Sequence, residues 1–188
     1  MRTGSANRHS VGVIIKTPQE CTRNDLETFI RLAHEGGQVK EQGLPARVKR
    51  ARVLAFLVEN GDTIGIAALK QPYKSYRTAV FARAKATLMS NSFPFEVGWV
   101  VISQKHQGRK LSRSVVEAVL TKARGQNVFA TSAISREAMH RTLRRFGFVQ
   151  HGQSYPPSQG DEDLFLFIRI AARRSAALTR RVSSAPER

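Results

Sequence analysis

Two hydrophobic periodicities divide the chain into predicted strands and helices. Short apolar or alternating runs, the pattern typical of strands, occupy residues 11–15, 52–58, 63–69, 97–102, 127–132, 148–149 and 164–170. Apolar residues three and four positions apart, the pattern of a helix with one buried face, occupy residues 25–34, 77–85, 111–120 and 135–145. The pattern therefore predicts the element order β-α-β-β-α-β-α-β-α-β-β.

Turn and capping residues sharpen several of these boundaries. Asn60-Gly61 lies between two apolar runs and tolerates positive φ, so we expect a β-hairpin there. Thr22 or Asn24 can cap the first helix, and Ser135 can cap the last, because their side-chain oxygens accept bonds from free helix amides. The basic segment over residues 40–50 is predicted as a loop or a short helix, broken at Gly43 and Pro45.

The element order indicates one mixed α/β domain over residues 10–170. Residues 1–9 are polar, and we expect them to be flexible. Residues 171–188 are rich in Ala, Arg and Ser, and we expect a basic tail that is either disordered or a frayed helix.

The charge balance is unusual, with 31 Lys and Arg against 14 Asp and Glu, a formal net charge of +17. Such an excess favours polyanionic partners, which include nucleic acid and phosphate-bearing cofactors, although charge spread over solvated faces gives the same total. Apolar runs are too short to span a bilayer, so we expect no membrane partner. A single cysteine, Cys21, and the lack of a secretion signal favour a cytoplasmic protein.

The most informative stretch covers residues 95–120, where an apolar strand is followed by a short polar loop and a helix. The first amides of a helix have no partner inside it, and the helix dipole attracts negative charge, so this arrangement favours phosphate. Gln107, Gly108, Arg109 and Lys110 bring further donors and two positive charges to the loop. The pattern predicts a phosphate or pyrophosphate site; the two basic side chains fit phosphate contact and simple solvent exposure equally well.

Two motifs in this order resemble the GNAT superfamily of acyl-CoA-dependent N-acyltransferases. One is the loop Gln107-Gly108-Arg109-Lys110-Leu111-Ser112, which is similar to the family's pyrophosphate loop, Gln/Arg-x-x-Gly-x-Gly/Ala. The other is the late helix, in which Arg136-Glu137-Ala138-Met139 is followed by Leu143-Arg144-Arg145-Phe146-Gly147-Phe148. The resemblance covers roughly residues 11–170 and implies a mixed, mostly antiparallel sheet that is flanked by helices and splayed at its central strands.

The resemblance also implies acetyl-CoA as acyl donor. The main chain of Val100, Val101 and Ile102 would lie along the pantetheine arm, and the amides from Gly108 through Leu111 to Ser112 would hold the pyrophosphate. The acyl carbonyl would sit near Ala130, and an amine would attack the thioester directly.

Three positions depart from the family pattern. Lys110 stands where the family has a central glycine, so its side chain would point away or contact phosphate itself. Arg136 occupies the family's asparagine position. Leu143 occupies the position of the tyrosine that protonates the leaving thiolate, and it has no proton to donate.

The resemblance places a general base at Glu96, acting directly or through water, at the start of the central strand. The alternative is a strand-end carboxylate paired with one of the many arginines. Tyr155, Ser132 or a water could replace the missing acid. His106 and His140 are interpreted as surface or helix-face residues, and we expect no metal site, since neither has partners at ligand spacing.

The acceptor is the least determined part. We expect a primary amine, and two rivals stay open: an acceptor within a nucleic acid, such as an aminoacyl-tRNA or a DNA base, and a non-catalytic module that binds nucleic acid or CoA. A homodimer is also left open.

Overall fold

The computed structural model describes residues 11–37, 41–157 and 161–171. The predictions for residues 1–9, and for the tail beyond Ala171, lie outside the described residues. One seven-stranded sheet forms the centre of this part of the chain, in the order β1-β2-β3-β4-β5-β7-β6. Its strands are β1 Val11–Lys16, β2 Val53–Glu59, β3 Asp62–Lys70, β4 Phe95–Ile102, β5 Val128–Ala133, β6 Val149–Gln150 and β7 Leu164–Arg169.

Helices cover both faces of the sheet. They are α1 Arg23–Glu35, α2 Leu44–Lys49, α3 Lys74–Arg83, α4 Ser112–Thr121 and α5 Glu137–Arg145, with short 3₁₀ turns at Ser90–Ser92 and Gln104–His106. One core cluster joins the sheet to α4 and α5, a second joins it to α1 and α2, and a third lies under α3. No helix in the described ranges is long and apolar enough to cross a membrane.

Every strand pairing is antiparallel except that of β4 with β5, which is parallel and short. Phe95, Glu96 and Val97 pair with Val128, Phe129 and Ala130, and the pairing ends there. Beyond this point β4 continues against β3 alone, where Val101 faces Ile66 and Ile102 faces Gly65. The sheet is therefore mixed, mostly antiparallel and splayed between its central strands, which confirms the predicted fold class.

A β-bulge in β4 lies just beyond the splay. The register with β3 shifts between Ile66 and Ala68, and Trp99 has a φ of 49°. A left-handed conformation is rare for a bulky side chain, so the bulge is a local constraint maintained by its surroundings. Trp99 packs edge-on against Phe29 of α1, with ring centroids 5.9 Å apart.

Several predicted boundaries are corrected by the structure. Gly43 and Pro45 do not break a helix but start α2: Gly43 is its N-cap with a φ of 72°, and a proline near the start fits because the first helical amides need no partner. Helix α3 begins at Lys74, three residues before the prediction, and ends at Arg83, because Lys85 has a φ of 49°. Ser135 does not cap α5, since its amide bonds to the Glu162 carboxylate and Arg136 is the N-cap.

His140 was predicted at the surface or on a helix face; it lies on a face of α5 that is buried. Its Nε2 lies 2.9 Å from the carbonyl oxygen of Ala133, and its ring packs against Phe165 and Phe167. The helical pattern missed this position because a histidine that satisfies one nitrogen on a main-chain carbonyl can join an apolar face. His106 is half-buried and belongs to the functional cleft described below.

Thr22 is the residue that caps α1. Its side chain accepts from the Asp25 amide, and the Asp25 carboxylate accepts from the Thr22 amide, which completes a capping box. Asp25 also pairs with Lys16 of β1, with 2.7 Å between Nζ and Oδ2, and this ion pair lowers the pKa of Asp25.

We predict that Thr22→Ala lowers the free energy of unfolding by about 1 kcal/mol, because the Asp25 amide in the first turn of α1 loses its acceptor. Asn24→Ala is the matched control, since Asn24 is exposed within the first turn and makes no capping bond among the described residues. Urea titrations of both variants measure the difference. An equal loss in the two variants would contradict this assignment of the cap.

Candidate functional site

A cleft of about 1550 Å³ opens where β4 and β5 separate. Its floor is β4 from Glu96 to Ile102, and one wall is the loop that leads into α4. The opposite walls come from the end of α1, from α2 and α3, and from the start of α5. The splay creates this space, because two adjacent strands that no longer pair leave a gap in the middle of the sheet.

The loop between β4 and α4 presents a row of unpartnered amides to the cleft. Gly108 has a φ of 79° and Lys110 a φ of 60°, so the chain turns sharply twice before α4 begins at Ser112. None of the amides from Gly108 to Ser112 has a hydrogen-bond partner among the described residues. Consecutive free amides ahead of a helix form a cradle for an anion.

Lys110 replaces the expected glycine by adopting the glycine-like conformation itself. A left-handed φ costs a lysine about 1 kcal/mol, which the surrounding fold must offset. Its side chain is exposed and borders the cleft, as does the half-buried Arg113 in the first turn of α4. Both cations therefore lie beside the free amides.

Arg109 is directed away from the cleft. Its guanidinium forms a bidentate ion pair with Glu59 at the end of β2, at distances of 2.6 and 3.0 Å. His106 Nε2 lies 3.4 Å from the same carboxylate, and His106 Nδ1 lies 2.7 Å from the Ser103 hydroxyl. These contacts attach the loop to the β2–β3 hairpin, so the Arg109 side chain orients the loop and only its amide is available to an anion there.

The neighbouring edge of β4 is free to take a partner. Val101 and Ile102 pair with β3 on one side, and no described strand pairs with the segment from Val100 to Ile102 on the other. Gln107 Nε2 donates to the Ile102 carbonyl at 3.1 Å, which fixes the start of the loop relative to the strand. The sequence-predicted segment thus lines the cleft with main-chain groups along its open side.

Glu96 lies at the bottom of the cleft, only 2% exposed. It is directly opposite Lys70 across the β3–β4 ladder, and Lys70 Nζ lies 2.7 Å from its Oε2. Tyr76 donates a hydroxyl bond to Oε1 at 3.3 Å. Oε2 has no aligned hydrogen-bond donor among the described residues, so its contact with Lys70 is an ion pair. The structure therefore pairs Glu96 with a lysine and not with the arginine of the alternative interpretation, and this ion pair lies within the cleft.

Two tyrosine hydroxyls meet near this carboxylate. Tyr155 is 2% exposed, its hydroxyl has no hydrogen-bond partner among the described residues, and burial together with the Glu96 charge raises its pKa. Tyr76 as a whole residue is 40% exposed, but its hydroxyl bonds to Glu96 inside the cleft, where burial and the Glu96 charge raise its pKa well above the ordinary value. Both phenols therefore keep their protons at neutral pH.

The structure brings most of the sequence-predicted site residues to one cleft. Ser132 and Leu143 border it as well, and Leu143 presents only a hydrocarbon surface. Sequence reasoning missed Lys70, the Tyr76 hydroxyl and Arg113. No tight turn fixes the contact of Lys70 with Glu96, because β3 and β4 are separated along the chain by α3, so the sequence carried no local signal for it. Within the described residues no group of three or more metal-ligating side chains converges.

Comparison with solved structures shows the same fold in bacterial proteins of low sequence identity. ElaA from Escherichia coli is 13% identical with a TM-score of 0.64, covering 85% of this chain and 99% of that one. A GNAT acetyltransferase from Streptococcus agalactiae is 14% identical with a TM-score of 0.64, covering 86% and 97%. The yncA protein from Salmonella typhimurium, solved with its cofactor acetyl-CoA, is 14% identical with a TM-score of 0.59, covering 88% and 96%.

The search of curated proteins found no relative. The family model described as "Acetyltransferase (GNAT) family" matches residues 26–148, which is more than half of the chain. This match includes the splay, the loop of free amides and the late helix. The chain therefore belongs to the GNAT family of acetyltransferases, whose acyl donor is acetyl-CoA.

Proposed function

We propose that this acetyltransferase moves an acetyl group from acetyl-CoA to a primary amine, by direct attack of the amine on the thioester. The observation that carries the proposal is the placement of a buried carboxylate, Glu96, and an unpartnered phenol, Tyr155, in the cleft that the free loop amides border. A base for the amine and an acid for the thiolate are the two proton-transfer groups that such a reaction uses.

The residues present fit acetyl-CoA. The amides from Gly108 to Ser112 would hold the diphosphate, with Lys110 and Arg113 supplying positive charge beside it. The open edge of β4 from Val100 to Ile102 would bond the amide groups of the pantetheine arm in the manner of an added strand. Bound there, acetyl-CoA supplies an acetyl group activated as a thioester.

Glu96 would accept the proton that the acceptor amine loses. An ammonium group has no lone pair with which to attack, so the amine must be neutral when it meets the carbonyl. Burial keeps bulk water away from the carboxylate, and the Tyr76 hydroxyl holds one of its oxygens in place. The other oxygen faces Lys70 and the cleft.

Tyr155 would protonate the departing thiolate. Its main chain is fixed by a bridge to Leu164, with bonds of 3.0 and 2.8 Å, so its hydroxyl is held in one place. Burial and the Glu96 charge raise the pKa of Tyr155, so the phenol keeps its proton at neutral pH and can offer it to the sulfur as the thiolate departs. Ser132 and a water molecule are the other donors at this position.

A nucleic-acid acceptor is a second candidate, and one feature of the cleft favours it. Tyr73 is 51% exposed, and the Arg50 guanidinium stacks 3.9 Å above its ring. Arg50 Nε donates to the Gln71 carbonyl, and the remaining guanidinium nitrogens have no carboxylate partner in the described ranges. A stacked aromatic–arginine pair with free donors suits a base and a phosphate.

We predict that Gly108→Val weakens CoA binding by about tenfold or more, because a β-branched residue resists positive φ and crowds the free amides. Gly61→Val is the matched control: Gly61 has a φ of 91° and also has open space around it, but it lies in the β2–β3 turn. Calorimetric titration with CoA measures the affinities. Wild-type affinity in Gly108→Val would show that the diphosphate binds elsewhere.

We predict that Glu96→Gln lowers the turnover number by about a hundredfold or more with little change in CoA affinity, since the amide does not accept the proton. Glu117→Gln is the control, because Glu117 is exposed on α4 and outside the cleft. Thiol release from acetyl-CoA, measured over a panel of primary amines, gives the rates. Unchanged turnover in Glu96→Gln would remove this carboxylate from the mechanism.

The nucleic-acid candidate predicts that binding of tRNA or duplex DNA falls steeply with salt, because each phosphate contact releases counterions. It also predicts that Arg50→Gln weakens binding more than Arg52→Gln does, since Arg52 is exposed and outside the cleft. Gel shifts over a range of salt concentrations test both points. Equal effects of the two variants, or binding that disappears when residues 171–188 are removed, would assign the affinity to general charge.

Measurements with acetyl-CoA distinguish a non-catalytic module from an active transferase. A ligand that binds only the native state raises the melting temperature by mass action. Stabilisation by acetyl-CoA without thiol release in the presence of any amine would favour the non-catalytic alternative.

A further inference from the structure

Lys70 occupies the place in the cleft where the acceptor amine of the proposed reaction would lie. Its Nζ is 2.7 Å from Oε2 of the proposed base Glu96, and its side chain is 17% exposed. The β4–β5 pairing ends at Val97 and Ala130, and the Lys70 side chain crosses the next residue, Gly98. An amine, a buried carboxylate and the splay thus meet at one point.

The fold keeps the Lys70 side chain in this position by several contacts. A Cβ added at Gly98 would lie 2.7 Å from Lys70 Cδ and 3.4 Å from Nζ, so a side chain at this position would displace the Lys70 side chain from its path across the strand. The Trp99 ring lies 5.1 Å from Nζ and the Tyr76 ring 5.5 Å from it, both within the range of cation–π attraction. Trp99 has its positive φ at the β-bulge of β4, one residue after Gly98.

We propose that Lys70 is an acetyl acceptor in its own right, so that the protein acetylates itself at this residue with acetyl-CoA as donor. This inference rests on the proposed function, because it uses the same carboxylate and the same thioester. It assigns a covalent modification site to a lysine that lies inside the cleft.

Glu96 and Tyr155 can carry out the proton transfers that acetyl transfer to Lys70 requires. Glu96 takes one proton from the Lys70 ammonium, and the neutral Nζ attacks the thioester carbonyl. A carbon–nitrogen bond forms, the carbon–sulfur bond breaks, and the electron pair leaves with the thiolate, which takes a proton from Tyr155. The second proton lost by nitrogen replaces the one that Tyr155 gave up, directly or through water, and Glu96 returns its proton to solvent. The products are ε-acetyl-lysine, CoA and one proton.

Acetylation would change the cleft in two ways. The Lys70 side chain would lose its positive charge, so Glu96 would lose its ion-pair partner. The new amide would also occupy space beside Gly98 where an external amine must enter. Self-acetylation would therefore leave a carboxylate without a cationic neighbour in a narrower cleft, and we expect acetyl transfer to other amines to change as the modification accumulates.

Simple chemical acetylation would show the opposite preference among lysines. Lys74, Lys85 and Lys105 are exposed, whereas the Lys70 ammonium is mostly buried and ion-paired. Spontaneous reaction with acetyl-CoA in solution would modify exposed amines first, because they lose their protons to solvent freely. Preferential modification of Lys70 therefore requires the cleft to catalyse it.

The test is to incubate the full-length protein with acetyl-CoA and follow acetylation by intact mass and peptide mapping. We expect one acetyl group per chain at Lys70, with a rate constant independent of protein concentration, because the reaction is intramolecular. Lys70→Arg should abolish the mass increase, and Lys74→Arg, which alters an exposed lysine outside the cleft, should keep it. Glu96→Gln should slow it by about a hundredfold.

Melting temperatures with and without acetyl-CoA, measured on the same samples, separate the two proposals. If acetyl-CoA stabilises the protein and an added amine causes thiol release, but Lys70 stays unmodified, self-acetylation is overturned and the proposed function stands. The same conclusion follows if acetylation is spread over exposed lysines or is unaffected by Glu96→Gln. If acetyl-CoA gives neither stabilisation nor modification, both proposals fail together.

Discussion

The early end of the pairing between β4 and β5 is the constraint on which the rest of the site depends. Three residue pairs join these central strands, the last being Val97 with Ala130, and the gap beyond them becomes the cleft. The gap also frees one edge of β4 from Val100 to Ile102 and directs the following loop to the cleft border. A continued ladder would satisfy the same main-chain groups within the sheet and leave no place for a ligand.

Polar side chains complete the site at the point where the ladder stops. Glu96 is on the last paired part of β4, and Lys70 reaches it from β3 across a residue with no side chain, Gly98. The ion pair between Lys70 and Glu96 is mostly buried, and removing both charges from water costs free energy. Their mutual attraction and further hydrogen bonds must offset that desolvation cost. The Tyr76 and Tyr155 hydroxyls lie beside it and remain protonated, so the cleft holds both a proton acceptor and proton donors.

The fold was largely predictable because its signals are local. The Asn60-Gly61 turn, the capping box at Thr22 and the apolar runs each act within a few residues, and the structure confirms the elements they indicate. The bulge at Trp99 and the buried position of His140 depend on distant neighbours, so no local pattern marked them. The Lys70–Glu96 contact depends on the register between β3 and β4. The hydrophobic pattern does not determine that register to within one residue, and a shift of one residue would move every side chain of a strand to the opposite face of the sheet.

The loop between β4 and α4 also combines a feature that local sequence predicts with one that depends on a distant residue. Its free amides follow from the strand–loop–helix pattern, which the sequence displays, whereas the destination of Arg109 depends on Glu59 fifty positions away. Lys110 retains the turn by adopting positive φ, so a departure from the family's glycine changes the charge at the site and keeps the path of the chain.

The most direct test of the account is a crystal structure of the protein with CoA bound. We expect the diphosphate oxygens to accept hydrogen bonds from the amides between Gly108 and Ser112, and the sulfur to lie at the splay between Gly98 and Ala130, near Lys70 Nζ. A diphosphate bound away from that loop, or a sulfur remote from Glu96, would contradict the account.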